Sequence, residues 1–357
     1  MNQEEKELFF EVVSASHTEK RVCSKPDIIS DCSGMLGTIL MNRLGGIAYS
    51  NLADSEFFTG VPREFRNTLY AVYNSNLERN KNYYASLIAL SKVLEPVRGK
   101  YAALKGVLLC GLYPPGCRTS NDVDILVAGR DLDSVGKALS LGGFIQGYIK
   151  GGKFKEAGRS EIVASRMLRG ETVPYVKRMG LPFMEYLEVD INFSTDYKQD
   201  SGGHVDSIIR GAASSPEGPP LAVPDKYDFF IHLCQHLYKE ASTLPWIEMG
   251  RDMTLYKYCD IQRWLGTAGP DEVSKMYDRI QLRSAAVPCA YALWSCQSLF
   301  GTDTDFLRLL YSKLAGSNDE FLHTVSDPAG RRTLIYTQKD LKKRFWHRNR
   351  KELLTEL

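Results

Sequence analysis

The feature that most constrains this chain is a pair of aspartates that opens an apolar run, Asp122-Val-Asp-Ile-Leu-Val127. Successive Val, Ile and Leu residues favour a buried β-strand. Side chains at positions i and i+2 of a strand point to the same face, so Asp122 and Asp124 are expected to project side by side. Val123 and Ile125 then face a core. A fold that contains this strand must bury one face of its sheet and leave the other open to polar chemistry.

Two carboxylates at this spacing repel each other unless a cation or a shared proton lies between them. Adjacent carboxylate oxygens suit Mg²⁺ or Mn²⁺, especially when the phosphates of a substrate complete the coordination shell. Asp122 and Asp124 therefore suggest a divalent-metal site that binds phosphates. The alternative is a pair of solvated aspartates at the end of a strand.

The preceding segment, Leu104-Lys-Gly-Val-Leu-Leu-Cys-Gly-Leu-Tyr-Pro-Pro115, predicts a turn followed by a buried helix that ends at the prolines. Gly106 at the helix start lets the backbone approach a phosphate, and the N-terminus of a helix favours an anion. Lys105 adds a positive charge beside it. The segment thus predicts a phosphate-binding turn directly before the aspartate strand.

A third carboxylate lies in a second predicted strand, Glu185-Tyr-Leu-Glu-Val-Asp-Ile-Asn-Phe193. Its apolar residues alternate with Glu188, Asp190 and Asn192, which is typical of a half-buried strand with one polar face. If this strand lies beside the first, Asp190 joins the two earlier aspartates. The alternative is an ordinary solvated strand face, which Glu188 and Asn192 also fit.

Together, Lys105-Gly106, Arg118, the Asp-Val-Asp-Ile-Leu-Val strand and the Val-Asp-Ile-Asn run at residues 189–192 resemble the uncharacterised nucleotidyltransferase family. That family is a branch of the polymerase-β-like nucleotidyltransferase superfamily. Looser similarity to its N-terminal and C-terminal helices extends the resemblance over most of residues 60–300. Most of the superfamily has Gly-Ser at the phosphate turn, whereas this chain has Lys105-Gly106.

The resemblance implies an α+β fold in which flanking helices cover a mixed β-sheet. It also implies two Mg²⁺ ions and transfer of a nucleoside monophosphate from an NTP. Asp122, Asp124 and Asp190 would be the catalytic residues and the metal ligands. The triphosphate would be held by Lys105, Gly106 and Arg118, with backbone N–H groups or Lys105 in place of the missing serine.

The composition is that of an ordinary globular protein. A chain of 357 residues suggests two or three domains, and a net charge of +2 gives no strong attraction for nucleic acid. We find no apolar stretch of membrane-spanning length and no signal-peptide core at the acidic N-terminus. The eight cysteines form no C-x-x-C pair, which favours reduced thiols. We therefore expect a cytoplasmic protein that contacts no nucleic acid and no membrane, and the resemblance implies an NTP and an acceptor as its partners.

Three regions are predicted along the chain. Residues 1–95 are mostly helical, residues 96–210 form the nucleotidyltransferase α/β core, and residues 211–357 are helical with a basic tail. A connector rich in Gly, Pro and Ser at residues 211–220 marks the second boundary.

Three further features have two interpretations each. The basic segment at residues 150–178, expected to be a hairpin or loop between the carboxylate strands, either grips an anionic ligand or is a solvated surface loop. The basic and aromatic tail at residues 339–351 contacts RNA or a partner, or forms a helix with one packed face. His232 and His236, four residues apart, share a helix face and either hold a metal or substrate or form a packed pair.

The hypothesis is a metal-dependent nucleotidyltransferase that moves a nucleoside monophosphate to a hydroxyl or phosphate of a small-molecule or peptide acceptor. One alternative is a catalytically inert module that binds a nucleotide or a partner. The other is an RNA-directed nucleotidyltransferase, which the near-neutral net charge disfavours.

Overall fold

The computed structural model describes residues 1–15, 29–168, 171–194, 203–214, 219–316 and 319–357. These form two compact units. The sheet unit is Tyr73–Phe229, and the helical unit combines Met1–Val72 with Phe230–Leu357. The three predicted regions stay a prediction. Cys23 and residues 215–218 of the predicted connector lie outside the described residues, and the other seven cysteines are free thiols.

The sheet unit is built on a mixed six-stranded β-sheet, which confirms the predicted α+β class. The strand order across the sheet is β1-β2-β6-β5-β3-β4. Its strands are β1 (Tyr101–Ala103), β2 (Asp122–Val127), β3 (Ile145–Lys150), β4 (Lys153–Glu156), β5 (Tyr175–Leu181) and β6 (Met184–Asn192). Its own helices are α6 (Gly106–Leu112), α7 (Leu132–Leu141), α8 (Arg159–Leu168) and α9 (His204–Gly211).

The two predicted carboxylate strands are direct neighbours in this sheet. β2 and β6 pair in parallel, whereas β1 pairs with β2, and β5 with β6, in the antiparallel sense. The basic segment between the carboxylate strands, predicted to be a hairpin or loop, contains the turn and second strand of the β3–β4 hairpin, α8 and the start of β5. It therefore extends the sheet on the side of β6 away from β2.

The alternation of β2 divides its side chains between two cores. Val123, Ile125 and Val127 lie in the main core with residues of β6, α7 and the long helix α5 (Arg63–Leu94). Leu126 faces the opposite way and packs with the apolar face of α9. Asp122 and Asp124, on the Leu126 side, precede the part of the face that α9 covers.

The helical unit contains most of the remaining helices and a small sheet ordered β7-β8-β9. Its helices are α1 (Gln3–Val12), α2 (Cys32–Met41), α3 (Gly45–Leu52), α4 (Glu56–Gly60), α11 (Leu244–Glu248), α12 (Leu255–Leu265), α13 (Val273–Leu282), α14 (Ala286–Phe300), α15 (Asp305–Leu314) and α16 (Leu341–Trp346). Its strands are β7 (Thr324–Asp327), β8 (Arg332–Tyr336) and β9 (Leu354–Glu356).

Two helices have residues in both units, α5 and α10 (Lys226–Ala241). The helix signals in the sequence at residues 64–73 and 77–94 belong to one helix, because α5 continues through all 32 residues from Arg63 to Leu94. No helix within the described ranges is long and apolar enough to cross a membrane.

The aromatic residues of the basic tail are packed in the helical unit. The ring of Phe345 stacks on Phe9 at 5.5 Å between centroids, and Trp346 meets Phe9 edge-on at 5.2 Å. These contacts agree with the interpretation of the tail as a helix with one packed face.

Candidate functional site

Four acidic side chains occupy neighbouring positions on one face of the sheet, here called the carboxylate face: Asp122, Asp124, Glu188 and Asp190. In the parallel register of β2 and β6, Asp122 lies opposite Glu188 and Asp124 lies opposite Asp190. Paired residues of adjacent strands point to the same side, so the four form two cross-strand pairs. The structure thus brings together the three predicted aspartates and adds Glu188 to them.

The acidic groups of the carboxylate face disfavour one another's charged forms. Burial, and then the charges of Asp124 and Asp122, raise the pKa of Asp190 well above its usual range, although Lys105 opposes this. Burial and the charge of Asp122 likewise raise the pKa of Glu188. Like charges directly opposite each other on adjacent strands destabilise a sheet. This face is therefore arranged to favour a positively charged ligand.

Lys105 provides a positive charge to this face. Its Nζ lies 2.9 Å from Oδ1 of the buried Asp124. Burial alone would lower the pKa of Lys105, but the charge of Asp124 and the hydrogen bond to it raise that pKa, with smaller contributions from Asp122 and Asp190. The residue has a φ of +40°, an uncommon conformation for a side chain with a Cβ. The backbone turn thus aims an ammonium group at the aspartates.

Gly106 is required by close packing. A Cβ at this position would lie 2.5 Å from Oγ of Ser120 and 3.1 Å from the hydroxyl of Tyr83. Ser120 in turn donates a hydrogen bond of 2.7 Å to Oδ1 of Asp122. The glycine therefore leaves room for a serine that orients an aspartate. Sequence reasoning missed Ser120, and its place two residues before Asp122 was the available signal.

Arg118 lies in the loop between α6 and β2. Its guanidinium donates to the carbonyl of Thr119, and its own carbonyl accepts a hydrogen bond of 2.8 Å from Nδ2 of Asn80 on α5. The loop position, four residues before Asp122, keeps Arg118 next to the carboxylate face along the chain. Its predicted role in holding a triphosphate stays a prediction.

The chemistry of the donor set fits a divalent cation, because carboxylate oxygens are the ligands that Mg²⁺ and Mn²⁺ prefer. Over the described ranges, however, no three His, Cys, Asp or Glu side chains are already arranged as a set of metal ligands. Asp122 accepts from Ser120 and Asp124 accepts from Lys105. Both bonds are to Oδ1, so each carboxylate has a second oxygen with which it could bind a cation.

The histidine pair lies on α10, as predicted. The rings of His232 and His236 are 6.4 Å apart, and Nε2 of His236 lies 3.6 Å from Oε1 of the buried Glu240. Glu240 also pairs with Lys257. These contacts are those of a packed, charge-compensated helix face, and a role in substrate contact stays open.

The comparisons with known proteins agree with the family resemblance. The model of a family described as uncharacterised nucleotidyltransferase matches residues 31–301, about three quarters of the chain. No curated protein matches the chain. The family match includes the whole carboxylate face and the turn at Lys105.

Proposed function

The chain belongs to this nucleotidyltransferase family, and from that premise we propose that it transfers a nucleoside monophosphate from an NTP to an acceptor, with Mg²⁺ or Mn²⁺ as cofactor. The acceptor group is a hydroxyl or a phosphate of a small molecule or peptide. The observation that carries the proposal is the register of β2 on β6, which sets Asp124 against Asp190 and Asp122 against Glu188. Four acidic groups beside one lysine suit a ligand that brings cations with its phosphates.

Asp122, Asp124 and Asp190 would hold the divalent cation. When bound, it would draw charge from the phosphate oxygens and lower the pKa of the acceptor hydroxyl. Lys105, released from Asp124, would bind phosphate oxygens as a point charge. Gly106 would let the α6 backbone come close to the triphosphate, and Arg118 would neutralise phosphate charge from the loop.

In the proposed reaction an acceptor oxygen forms a new bond to the α-phosphorus of the NTP. The bond from that phosphorus to the oxygen bridging the β-phosphate breaks, and pyrophosphate leaves. The proton of the acceptor hydroxyl passes to a carboxylate oxygen of Asp190 and then to water. The carboxylate face would therefore position the reacting groups and remove one proton.

The alternative of an inert binding module rests on the Lys105-Gly106 turn, which stands where most of the superfamily has Gly-Ser. The test that separates the two is incubation of the protein with labelled NTPs, Mg²⁺ and an extract from its own source. Label on a discrete product supports transfer and identifies the acceptor. A protein that binds nucleotide but labels nothing in any extract fraction supports the inert module.

Nucleotide binding is tested separately by thermal unfolding with ATP and Mg²⁺. A ligand that binds only the folded protein stabilises it by RT ln(1 + [L]/Kd), so ATP with Mg²⁺ is expected to raise the melting temperature. Asp124→Ala should remove most of that rise. The matched control is Asp133→Ala on α7, whose side chain is 89% exposed. An equal rise in Asp124→Ala and in the wild type would mean that the nucleotide binds elsewhere.

A further inference from the structure

We infer that Asn80 on α5 is a positioning residue for Arg118 and Asp122. Its side chain forms two hydrogen bonds to the loop between α6 and β2, and this pair of bonds is here called the clasp. The relevance of this clasp to nucleotide binding rests on the proposed function. The clasp itself rests on hydrogen bonds within the sheet unit. The hydrogen bonds of Asn80 go to the backbone of the loop, so its contribution is made through that backbone.

Both ends of the Asn80 carboxamide bind the loop. Its Nδ2 donates to the carbonyl of Arg118 at 2.8 Å, and its Oδ1 accepts from the backbone N–H of Gly116 at 2.9 Å. The donor and acceptor roles of the amide are fixed by these two partners, because only one orientation satisfies both. A single side chain thus holds the loop at both Gly116 and Arg118.

Two neighbours on the same helix face continue the clasp. Asn76, one turn earlier, donates to the carbonyl of Gly116 at 3.0 Å, and the buried Tyr83, one turn later, donates to the carbonyl of Asp122 at 2.9 Å. Residues three and four apart share a helix face. The row of Asn76, Asn80 and Tyr83 therefore meets Gly116, Arg118 and Asp122 in chain order.

The loop packs closely against α5 at Gly116. Gly116 has a φ of +82°, and a Cβ on it would lie 2.7 Å from the ring of Tyr73 and 3.2 Å from Leu77. Pro114 and Pro115 limit the backbone just before it. Within the loop the N–H of Cys117 bonds to the carbonyl of Pro114, whereas the N–H and carbonyl of Gly116 and the carbonyl of Arg118 have their partners on α5. Loss of the Asn80 bonds would leave the residues before β2 free to shift.

Such a shift matters at a catalytic site. Misplacement of a reacting or binding group by about 1 Å costs on the order of 10²-fold in rate. Asp122 is the first residue of β2 and is exposed, so its carboxylate depends on the loop and on Ser120 for its position. Arg118 lies wholly within the clasped segment. Arg118 and Asp122 are therefore the predicted site residues whose placement depends on this loop.

Hydrogen exchange measured by mass spectrometry on Asn80→Ala tests the clasp without a nucleotide. Removing a hydrogen bond worth about 1.4 kcal/mol should speed exchange of the loop amides at residues 116–121 about tenfold. Exchange in β5 and in the core part of β6 should stay unchanged. The matched control is Asn74→Ala, an exposed asparagine of the same helix. Unchanged loop exchange in Asn80→Ala would overturn the inference, and so would faster exchange throughout the sheet unit, which would show a merely structural role.

Asn80→Asp separates the two bonds and guards against failure of the alanine variant to fold. An aspartate still accepts from the N–H of Gly116 but cannot donate to the carbonyl of Arg118. Exchange of the Gly116 amide should then stay slow while exchange nearer β2 accelerates. Equal acceleration at both places would contradict the two-point clasp.

Titration with ATP and Mg²⁺ then links the clasp to the site. In Asn80→Ala the affinity for ATP should fall about tenfold or more, with the melting temperature of the nucleotide-free protein close to that of Asn74→Ala. Faster loop exchange with unchanged affinity would show that the clasp does not position the binding groups. If the wild type binds no ATP, the proposed function fails, while the exchange experiment still decides the role of Asn80 in placing the loop.

Discussion

Two groups of charged side chains, one in each unit, are compensated differently. The carboxylate face of the sheet unit has four acidic groups, with Lys105 bound to Asp124. In the helical unit, the arginine cluster consists of Arg344, Arg350 and the groups that they contact. There Asp252, which is almost fully buried, receives two hydrogen bonds from Arg350, at 2.6 and 2.7 Å.

The buried guanidinium of Arg344 is surrounded by an aromatic ring and hydrogen-bond acceptors. Its guanidinium lies 4.3 Å from the ring centre of Tyr336 and 2.5 Å from Nδ1 of His323. It also donates to the carbonyls of Gln338 and Lys339. Aromatic faces and hydrogen-bond acceptors stabilise a desolvated arginine.

The difference between the arginine cluster and the carboxylate face separates charges that stabilise the fold from charges that are available to a ligand. A buried charge that serves the fold is matched by bidentate or stacked partners, as Asp252 and Arg344 are. The carboxylate face instead keeps Glu188 and Asp190 in surroundings that raise their pKa values through burial and neighbouring aspartates. Breaking the first kind of site should cost stability, whereas neutralising the second should cost function.

The largest effect is expected for Arg350→Ala. Removing one partner of a buried ion pair leaves Asp252 uncompensated, and such losses destabilise proteins by about 3–5 kcal/mol. Urea unfolding measures the change. The matched control is Arg308→Ala, because Arg308 is about half exposed and pairs with Asp303 and Asp305 at the surface. That variant should unfold at nearly the same urea concentration as the wild type, because an exposed ion pair contributes little to stability. Equal losses in both variants would remove the distinction between the two regions.

On the carboxylate face, Asp190→Asn should reduce turnover by at least ~10²-fold, the usual scale for a positioned acid–base group. Nucleotide affinity should fall much less, because Asp122 and Asp124 remain. Thermal stability should be unchanged or higher, since a charge that is costly in the folded protein has been removed. Asp133→Asn serves as the exposed control. A loss of stability, affinity and turnover together would place Asp190 with the structural charges instead.

Until an acceptor is identified, cation binding substitutes for turnover in this experiment. Mn²⁺ titration of wild type and Asp190→Asn should show weaker binding in the variant. Equal Mn²⁺ affinity in the two proteins would contradict a ligand role for Asp190.

Acidification should weaken the arginine cluster through His323. Burial, and then the charges of Arg344 and Lys339, lower the pKa of His323 to about 4, from an ordinary value of 6.5. The folded protein therefore keeps this histidine neutral at pH 5, where the unfolded chain binds a proton. Stability that is present above pH 6.5 is lost as the pH falls toward 4, by about 2 kcal/mol between pH 7 and pH 5.

The measurement is chemical unfolding at pH 7 and pH 5. In His323→Gln, which keeps an acceptor for Arg344 but does not titrate, the loss over this interval should be about 2 kcal/mol smaller than in the wild type. The same pH dependence in both proteins would mean that His323 is not the group responsible.

Much of this arrangement was predictable from local sequence pattern. The alternation in β2 and β6 predicts both strands and the faces of their side chains, and the glycine and prolines around α6 predict its ends. These features depend on residues within a few positions of each other. Resemblance to the family supplied the expectation that the two strands meet, which the register of Asp124 on Asp190 bears out as geometry.

What the sequence did not predict depends on contacts between distant segments. Glu188 fits an ordinary solvated strand face until the register sets it opposite Asp122, 66 positions earlier in the chain. The clasp by Asn80 pairs a helix side chain with a loop 36–38 residues later. The continuity of α5 through residues 74–76 has no local apolar signal either, because no side chain between Leu69 and Asn82 is buried.

The smallest effect, and the most direct test of uncompensated charge, is expected for Glu188→Gln. The raised pKa of Glu188, caused by burial and by Asp122, means that its charged form disfavours folding at neutral pH. A glutamine keeps the shape and removes the charge opposite Asp122. In EDTA the variant should be more stable than the wild type by up to about 1 kcal/mol, the scale of a cross-strand pair. That corresponds to a rise in melting temperature of about 2–4 °C for a unit of roughly 150 residues.

With saturating Mg²⁺ the stability advantage of Glu188→Gln should shrink, because a bound cation offsets the repulsion in the wild type but has less to offset in the variant. Glu185→Gln is the matched control, since Glu185 lies on the same strand, half exposed, and pairs with Arg178 at the surface. It should change stability little with or without Mg²⁺. A Glu188→Gln variant that is less stable than the wild type in EDTA would show that this carboxylate, like Asp252, is compensated by the fold.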